Sequence, residues 1–381
     1  MSDKPFCIWP WFHQTVKTNG NVTPCVVWNE DIDSVNYENF ITSQFMQSLR
    51  DSFRQGIPHE KCKRCVYLDK FSDLSVRRWG FNVADSIGIG EFEALDATSN
   101  LIVQSQDVNL SNVCNLKCRT CNQTRSTKWM SDAVAMGEKP VGLLRSNWSL
   151  TTEQAIKIKR LRFPGGEPLL HQDIICNELN KIKKFGTISE FVLHLTTNMT
   201  IPFSNELVEL MKDTKQTFIS CSVDGVGKIN NYIRSDSKWE TIESNIFALE
   251  KICVENNNII FDISTVYSVF NSNSLDELIN WTHRNNFKHG LIILDRPTIH
   301  DARNLPVDYK NLLIDRYKDT LKKFPNHIQL IESVITHLSN SPIIDISSWK
   351  EQFKKHNDFL DYRRNSKLED VNLELSFIVN N

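Results

Sequence analysis

The chain has 381 residues, 40% hydrophobic and 24% charged, which is length and apolar content enough for a large core divided into two or three structural units. A net charge of -2 and a pI near 6.6 exclude the basic footprint that nucleic-acid binding leaves. The start, Met-Ser-Asp-Lys-Pro-Phe, lacks a signal-peptide layout and no apolar run reaches the length of a membrane span, so a cytoplasmic protein is expected.

In that compartment the ten cysteines read as metal ligands or buried thiols before disulfides. Cys7 and Cys25 flank a segment whose Asn19-Gly20 is a hairpin turn signal, and a hairpin there brings the two thiols together. Phe45, Leu49 and Phe53 then mark a helix ending near Gly56, after which His59 to Cys65 delivers a second pair, Cys62 and Cys65. The four thiolates can close one site, as a fully ligated iron-sulfur cluster or, with the same donors, a zinc knuckle. The basic runs 61–64 and 157–162 are expected to be solvated faces.

From about residue 106 to 297 short apolar strands alternate with amphipathic helices, the pattern of a parallel sheet. Six strands are expected, at 107–111, 159–163, 190–196, 217–223, 259–266 and 290–294. Ile242, Ile246, Leu249 and Cys253 form one helical stripe, Cys176 joins Leu179 and Ile182 on another, and Cys221 alternates with Ser222. These three cysteines therefore read as small buried hydrophobes. Residues 301–381 read as helical, with Leu313, Tyr317 and Leu321 on a first face, Ile328, Ile331, Ile335 and Leu338 on a second, and Phe353, Phe359 and Leu360 on a third.

The chemistry-bearing residues all fall just past strand ends, where loops of a strand-helix barrel converge on one mouth. Cys114, Cys118 and Cys121, spaced C-x3-C-x2-C, follow the first strand; they offer a four-iron cubane three of its four ligands and leave one iron open. A zinc site wants a fourth ligand nearby, and the closest histidine, His171, lies far along the chain. Gly165-Gly166-Glu167 follows the second strand, Thr197-Asn198 the third, Val223-Asp224-Gly225 the fourth and Asn271 the fifth. Asp224 and Asp295 are candidate acids or bases near the rim.

The CNLKC wording of the triplet and the Gly-Gly-Glu-Pro turn resemble the radical S-adenosylmethionine (radical SAM) superfamily. The resemblance implies a partial (β/α)6 barrel over 101–300, with a helical extension over 301–381. The C-x12-G-x4-C spacing of Cys7, Gly20 and Cys25, with the Cys62-Cys65 pair, resembles the Twitch and SPASM auxiliary-cluster modules, here over 1–100, ahead of the barrel. By resemblance Cys114, Cys118 and Cys121 ligate a [4Fe-4S] cluster, SAM chelates the open iron, and Cys7, Cys25, Cys62 and Cys65 hold an auxiliary iron-sulfur cluster. Gly165, Gly166 and Glu167 would hold the SAM amino group, Ser222 would contact SAM, Arg234 would pair its carboxylate, and Asn198 matches the family's TNG turn with Met199 in place of glycine. Thr120 stands where many members place an aromatic beside the adenine.

The implied activity is reductive cleavage of SAM to a 5'-deoxyadenosyl radical that abstracts hydrogen, from a peptide or protein side chain or else from a small molecule such as an amino sugar. A flavodoxin- or ferredoxin-type reductant is the implied partner. A reading of another class, a non-enzymatic electron carrier or zinc-stabilised interaction protein, would have no need of the Gly-Gly-Glu turn.

Overall fold

The computed structural model describes residues 6–28, 32, 39–69, 75–89 and 101–381; the first residues, on which the expectation of no signal peptide rests, and parts of the 1–100 module lie outside the described residues. Among the described residues eight strands form one sheet: β1 His13–Val16, β2 Val22–Thr23, β3 Ser105–Val108, β4 Arg160–Phe163, β5 Val192–Thr197, β6 Gln216–Ser222, β7 Ile259–Tyr267 and β8 His289–Ile293. Their spatial order is β2-β1-β3-β4-β5-β6-β7-β8. All neighbours are parallel except the β1-β2 hairpin. The last six are the expected strands, and the open curl they make is the expected partial barrel.

The two additional strands come from the hairpin that gathers the first cysteine pair. Its turn is closed by Lys17 N–H donating to the Asn21 carbonyl at 2.8 Å, and β1 lies along β3 with His13 opposite Ser105. The first barrel strand ends earlier than expected, at Val108: Asn109 N–H makes the last ladder bond, to the Val16 carbonyl, and its side-chain amide donates to the same oxygen, each at 2.9 Å.

Helices α1 Gln44–Arg54, α2 Lys63–Leu68 and α3 Val76–Ser86 precede the barrel. The crossovers carry α4 Met130–Ala135 and α5 Thr152–Lys157, then α6 Gln172–Phe185, α7 Asn205–Lys212, α8 Lys228–Ile233, α9 Trp239–Glu255 and α10 Leu275–Arg284. Strand alternation sends Leu161, Leu193, Leu195, Ile219, Cys221 and Ile263 outward to pack with Cys176, Leu179, Ile182, Ile246 and Leu249 of the helices. Cys176 and Cys221 are fully buried there and Cys253 is half-buried beside them, as their spacing implies.

The opposite, concave face carries polar side chains. Arg160 and Arg162 of β4 pair with Asp107 of β3 at 3.0 and 3.3 Å. Arg160 is only 2% exposed and Arg162 is half-buried, so of the run 157–162 Lys157 is solvated as expected and the two arginines are not. The reason is alternation: two arginines flank Leu161, and the face opposite the core turns out to be enclosed. It is enclosed by α3, whose Trp79 lies 5.0 Å from both guanidiniums and whose Val83 packs near Val192. Trp9 Nε1 donates to the Val76 carbonyl at 2.8 Å, tying α3 to the chain start. On the open side of the barrel Arg64 of α2 reaches Asp295 beyond β8 at 2.6 Å, a half-exposed pair worth on the order of 0–1 kcal/mol.

The carboxy-terminal segment forms α11 Val307–Lys323, α12 Ile328–Ser339, α13 Ile346–Arg364 and α14 Leu373–Asn380. These helices join the barrel's own core: Tyr317 donates to the Ser272 carbonyl at 2.5 Å, and Phe353 meets Phe270 at 5.4 Å. Trp349 is fully buried, with Nε1 donating to the Ile299 carbonyl at 2.8 Å. Among the described residues no helix is long and apolar enough to cross a membrane. Trp349→Ala is expected to cost roughly 3–5 kcal/mol through the cavity and the lost donor, read as a lowered urea midpoint; an unchanged midpoint would show that α13 is not part of the barrel's cooperative core.

Candidate functional site

Past β3 the chain crosses the rim as a loop fixed by its backbone. Asn112 bridges it to the following segment, donating from Nδ2 to the Gln123 and Gly142 carbonyls at 3.1 and 2.9 Å and accepting at Oδ1 from Leu144 N–H at 2.9 Å. Lys117 and Arg119 N–H groups donate to Ser235 and Ile233 carbonyls at the end of α8, at 3.1 and 2.7 Å. Trp129 Nε1 donates to the Cys118 carbonyl at 2.7 Å. The Arg119 side chain is buried: Nη2 meets Asp361 at 2.5 Å, Nη1 donates to Asn357 at 2.9 Å, and the guanidinium stacks 3.6 Å from the Tyr232 ring.

With the backbone held, the three cysteines are half-buried at the rim. Burial pushes Cys114 up to about 11 and Cys118 up to about 12, the nearby Arg234 drawing Cys118 back; Cys121 is raised by burial too. Metal loading therefore has to displace protons from them. Cys114 Sγ accepts from Leu116 N–H at 3.5 Å and from Asn198 Nδ2 at 3.9 Å, donors suited to a ligating thiolate.

The Gly-Gly-Glu turn is pressed onto this loop. A Cβ at Gly166, where φ is +63°, would come within 2.6 Å of the Val113 carbonyl, and one at Gly165 within 2.0 Å of Asn109 Oδ1. Glu167 is 1% exposed; Oε1 accepts from Leu169 N–H at 3.0 Å and Thr197 Oγ1 at 2.8 Å, and Oε2 from Asn198 N–H at 2.8 Å. Burial raises its pKa against those bonds. An ionised carboxylate has room for about four donors, so one more fits at Oε2. Met199 takes φ 58° and is buried, keeping the left-handed turn that glycine would serve.

Arg234, after α8, donates to Asp224 Oδ2 at 2.8 Å and feels Cys118 and Cys114, while its Nε is buried without a hydrogen-bond partner. Asp224 is used structurally, its Oδ1 accepting from Val266 N–H at 2.8 Å. Asn271 donates to the Asp224 carbonyl at 2.9 Å, and Ser222 ends β6 on the concave face. Cys114, Cys118, Cys121, Glu167, Asn198 and Arg234 are thus brought together. Asp295, engaged with Arg64, belongs to the far side of the mouth.

The four amino-terminal thiols also form one group. Cys7 is raised by burial and by Cys25, Cys62 and Cys65; Cys25 and Cys62 are each pushed up to about 12, mainly by burial. Cys25 also senses Asp107, so this group borders the concave face. Among the described residues no three His, Cys, Asp or Glu side chains are gathered as a ready-made single-ion site. Ligands to a cluster bind separate irons, and the all-thiol donor sets fit that chemistry.

Sequence reasoning missed the Arg119 clasp and the Asp107-Arg160-Arg162 network. Arginines two apart in β4 were a signal for the second; nothing local marked the first.

Three thiols, a buried carboxylate and a guanidinium with an unpartnered Nε converge at the carboxyl rim of the strand-helix sheet, a donor set whose chemistry suits a metallocluster beside a charged small molecule. Residues 108–282 match the radical SAM superfamily model. Members of that superfamily use a [4Fe-4S] cluster and SAM. The chain is similar to GTP 3',8-cyclase of Clostridium perfringens (strain SM101 / Type A), 25% identical over 179 residues that cover 47% of this chain and 51% of that protein. The same enzyme of strain 13 / Type A is 25% identical over 174 residues, 45% and 50% of the two chains. The chain thus spans about half the length of the curated relatives it matches. Among solved structures it is similar to native anSMEcpe with bound AdoMet (19% identity, 57% of this chain and 62% of that one, TM-score 0.42). It is also similar to Streptococcus suis SuiB (14% identity, 81% and 68%, TM-score 0.38).

The concave-face ion network gives a pH signature. Burial raises the Asp107 carboxyl, but Arg160, Arg162 and His13 outweigh it and hold its pKa at about 2, down from 3.8. The folded pKa is depressed, so this stabilisation is present above pH 4 and is lost as pH falls toward 2. It amounts to about 2 kcal/mol. The stability gap between wild type and Asp107→Asn, from urea unfolding, is expected to shrink by about that much between pH 4 and pH 2; a gap independent of pH would contradict the assignment.

Proposed function

We propose that the chain is a radical SAM enzyme acting on a peptide or protein side chain. The observation that carries this reading is the convergence of Cys114, Cys118 and Cys121 with Glu167 and the unsatisfied Arg234 Nε at the rim of the matched domain. When bound there, a reduced [4Fe-4S] cluster and SAM supply one-electron cleavage to methionine and a 5'-deoxyadenosyl radical. The chain's own residues bind, orient and exclude water.

In this reading the three thiols would ligate the cluster as thiolates, which would leave one iron available to SAM. Glu167 Oε2 would accept an N–H of the SAM amino group, with the Gly165-Gly166 backbone beside it, and Arg234 Nε would donate to the SAM carboxylate while Asp224 keeps its fork aligned. Asn198 donates to the Cys114 sulfur, and Ser222 faces SAM from β6. Cys7, Cys25, Cys62 and Cys65 hold an auxiliary cluster in a module over 1–100, next to the barrel of 101–300 and the helical extension of 301–381. A flavodoxin- or ferredoxin-type protein delivers the electron.

The auxiliary thiol set favours the peptide reading, since such modules accompany peptide-modifying members. A small-molecule substrate is the second reading, favoured by the similarity to proteins named GTP 3',8-cyclase.

Anaerobic reconstitution, dithionite reduction and chromatographic assay for 5'-deoxyadenosine test the proposal. Cys118→Ala is expected to abolish cleavage. Cys62→Ala is expected to lose the iron of one cluster yet retain cleavage. Iron-loaded wild type that never cleaves SAM would instead support an electron carrier.

A further inference from the structure

At the amino ends of the strands, opposite the cysteine triplet, a cavity of about 320 Å³ lies between α3 and the concave face. Its walls include Trp79 and Asn82 of α3, Arg160 at the start of β4, His194 of β5, Phe218 of β6 and Asp262 of β7, and Lys288 stands at its edge. The volume is at the small end of ligand sites.

Two atoms of this lining are buried without a partner: Arg160 Nη2, on a side chain 2% exposed, and Asp262 Oδ1. Leaving a buried donor and a buried acceptor unpaired is costly, and a ligand that satisfies both recovers that cost. Arg160 Nη1 donates to both Asp107 and Ser105, each at 3.0 Å, which holds the guanidinium plane and so fixes the direction of Nη2. Arg162 Nε, one step toward the rim, is unsatisfied as well.

The charges define the ligand. Among the lining residues Arg160 and Lys288 stand against Asp262, an excess of one positive charge on a wall that calls for an anion. The acceptor on β7 calls for a donor on the same molecule. A phosphate would bring about two negative charges toward Asp262 and be repelled. Trp79 and Phe218 supply apolar faces for the part between.

We infer that this cavity binds a ligand of the amino-acid class, with a carboxylate on Arg160 and an ammonium or amide N–H on Asp262. The ligand's role as substrate rests on the function proposed above; the binding site does not. One chemistry has two sources here, a free amino acid or an acidic residue within a peptide.

The test is calorimetric titration of the full-length, anaerobically reconstituted protein with the free L-amino acids and, separately, with the N-acetyl amides of aspartate and glutamate. At least one probe is expected to bind with Kd below about 1 mM, and the set it belongs to identifies the source. Arg160→Gln and Asp262→Asn should each weaken binding tenfold or more. Arg160→Gln also strips a partner from Asp107, so Asn82→Trp, an exposed position on α3 that would fill the mouth, serves as the variant that keeps the fold and blocks entry. No binding by either set, or binding unchanged in Asp262→Asn and Asn82→Trp, overturns the inference. SAM cleavage in the same wild-type samples separates the two claims: cleavage without binding removes the cavity alone, and binding without cleavage removes the enzymatic reading alone.

Discussion

Arg119 stands between Cys118 and Cys121 with its guanidinium buried against Asp361, Asn357 and the Tyr232 ring, and the geometry of the rim depends on that burial. A buried charge stripped of its partner costs roughly 3–5 kcal/mol, so the loop cannot swing away from α13 without a large penalty. The same clasp pins the carboxy-terminal helices to the barrel mouth. Arg364 strengthens it from the next turn, pairing with Asp132 at 3.0 Å and lying 4.6 Å from the Trp129 ring that bonds the Cys118 carbonyl. Stiff backbone and half-buried cysteines are thereby combined in one short segment.

The glycine turn answers the same demand from the other side. Gly165 and Gly166 give up side chains so that β4's exit can sit on the cysteine loop, and Glu167 then stitches that exit to β5 through Thr197 and Asn198. Packing alone thus accounts for both glycines, while the remaining capacity at Glu167 and Arg234 is what chemistry can use. At the other end of the barrel α3 shuts the concave face, leaving a polar interior with Asp107, Arg160 and Arg162 at its centre. The amino-terminal segment therefore does two things: its hairpin widens the sheet, and its third helix defines what can enter.

Much of this was legible in the sequence. Apolar runs bounded by turn residues located β4 to β8 because local alternation and burial on the helix side coincide there, whereas the span expected for β3, 107–111, meets the observed Ser105–Val108 only at its end. The thiol triplet and the Gly-Gly-Glu turn were legible because their residue types and spacing are tied to one chemistry. β1 was not, since His13-Gln14-Thr15-Val16 has no apolar run and becomes a strand only by lying against β3. Arg160 and Arg162 looked like a solvated run because charge is visible in a sequence and a lid is not; α3 lies far upstream in the chain. The partners of Arg119 are 238 and 242 residues away, beyond any local pattern. Met199 shows the converse: the departure from glycine was plain, but only the backbone reveals that the left-handed turn survives it.

The central claim is that three thiols at this rim hold a cluster with one iron open to the amino and carboxylate groups of SAM. Electron-nuclear double resonance on the reduced, reconstituted protein with SAM labelled by 15N at the amino group and 17O at the carboxylate tests it most directly. Strong coupling from both labels to the cluster is the expected result, lost in Cys118→Ala. A cluster signal that shows no coupling to either label would contradict the account.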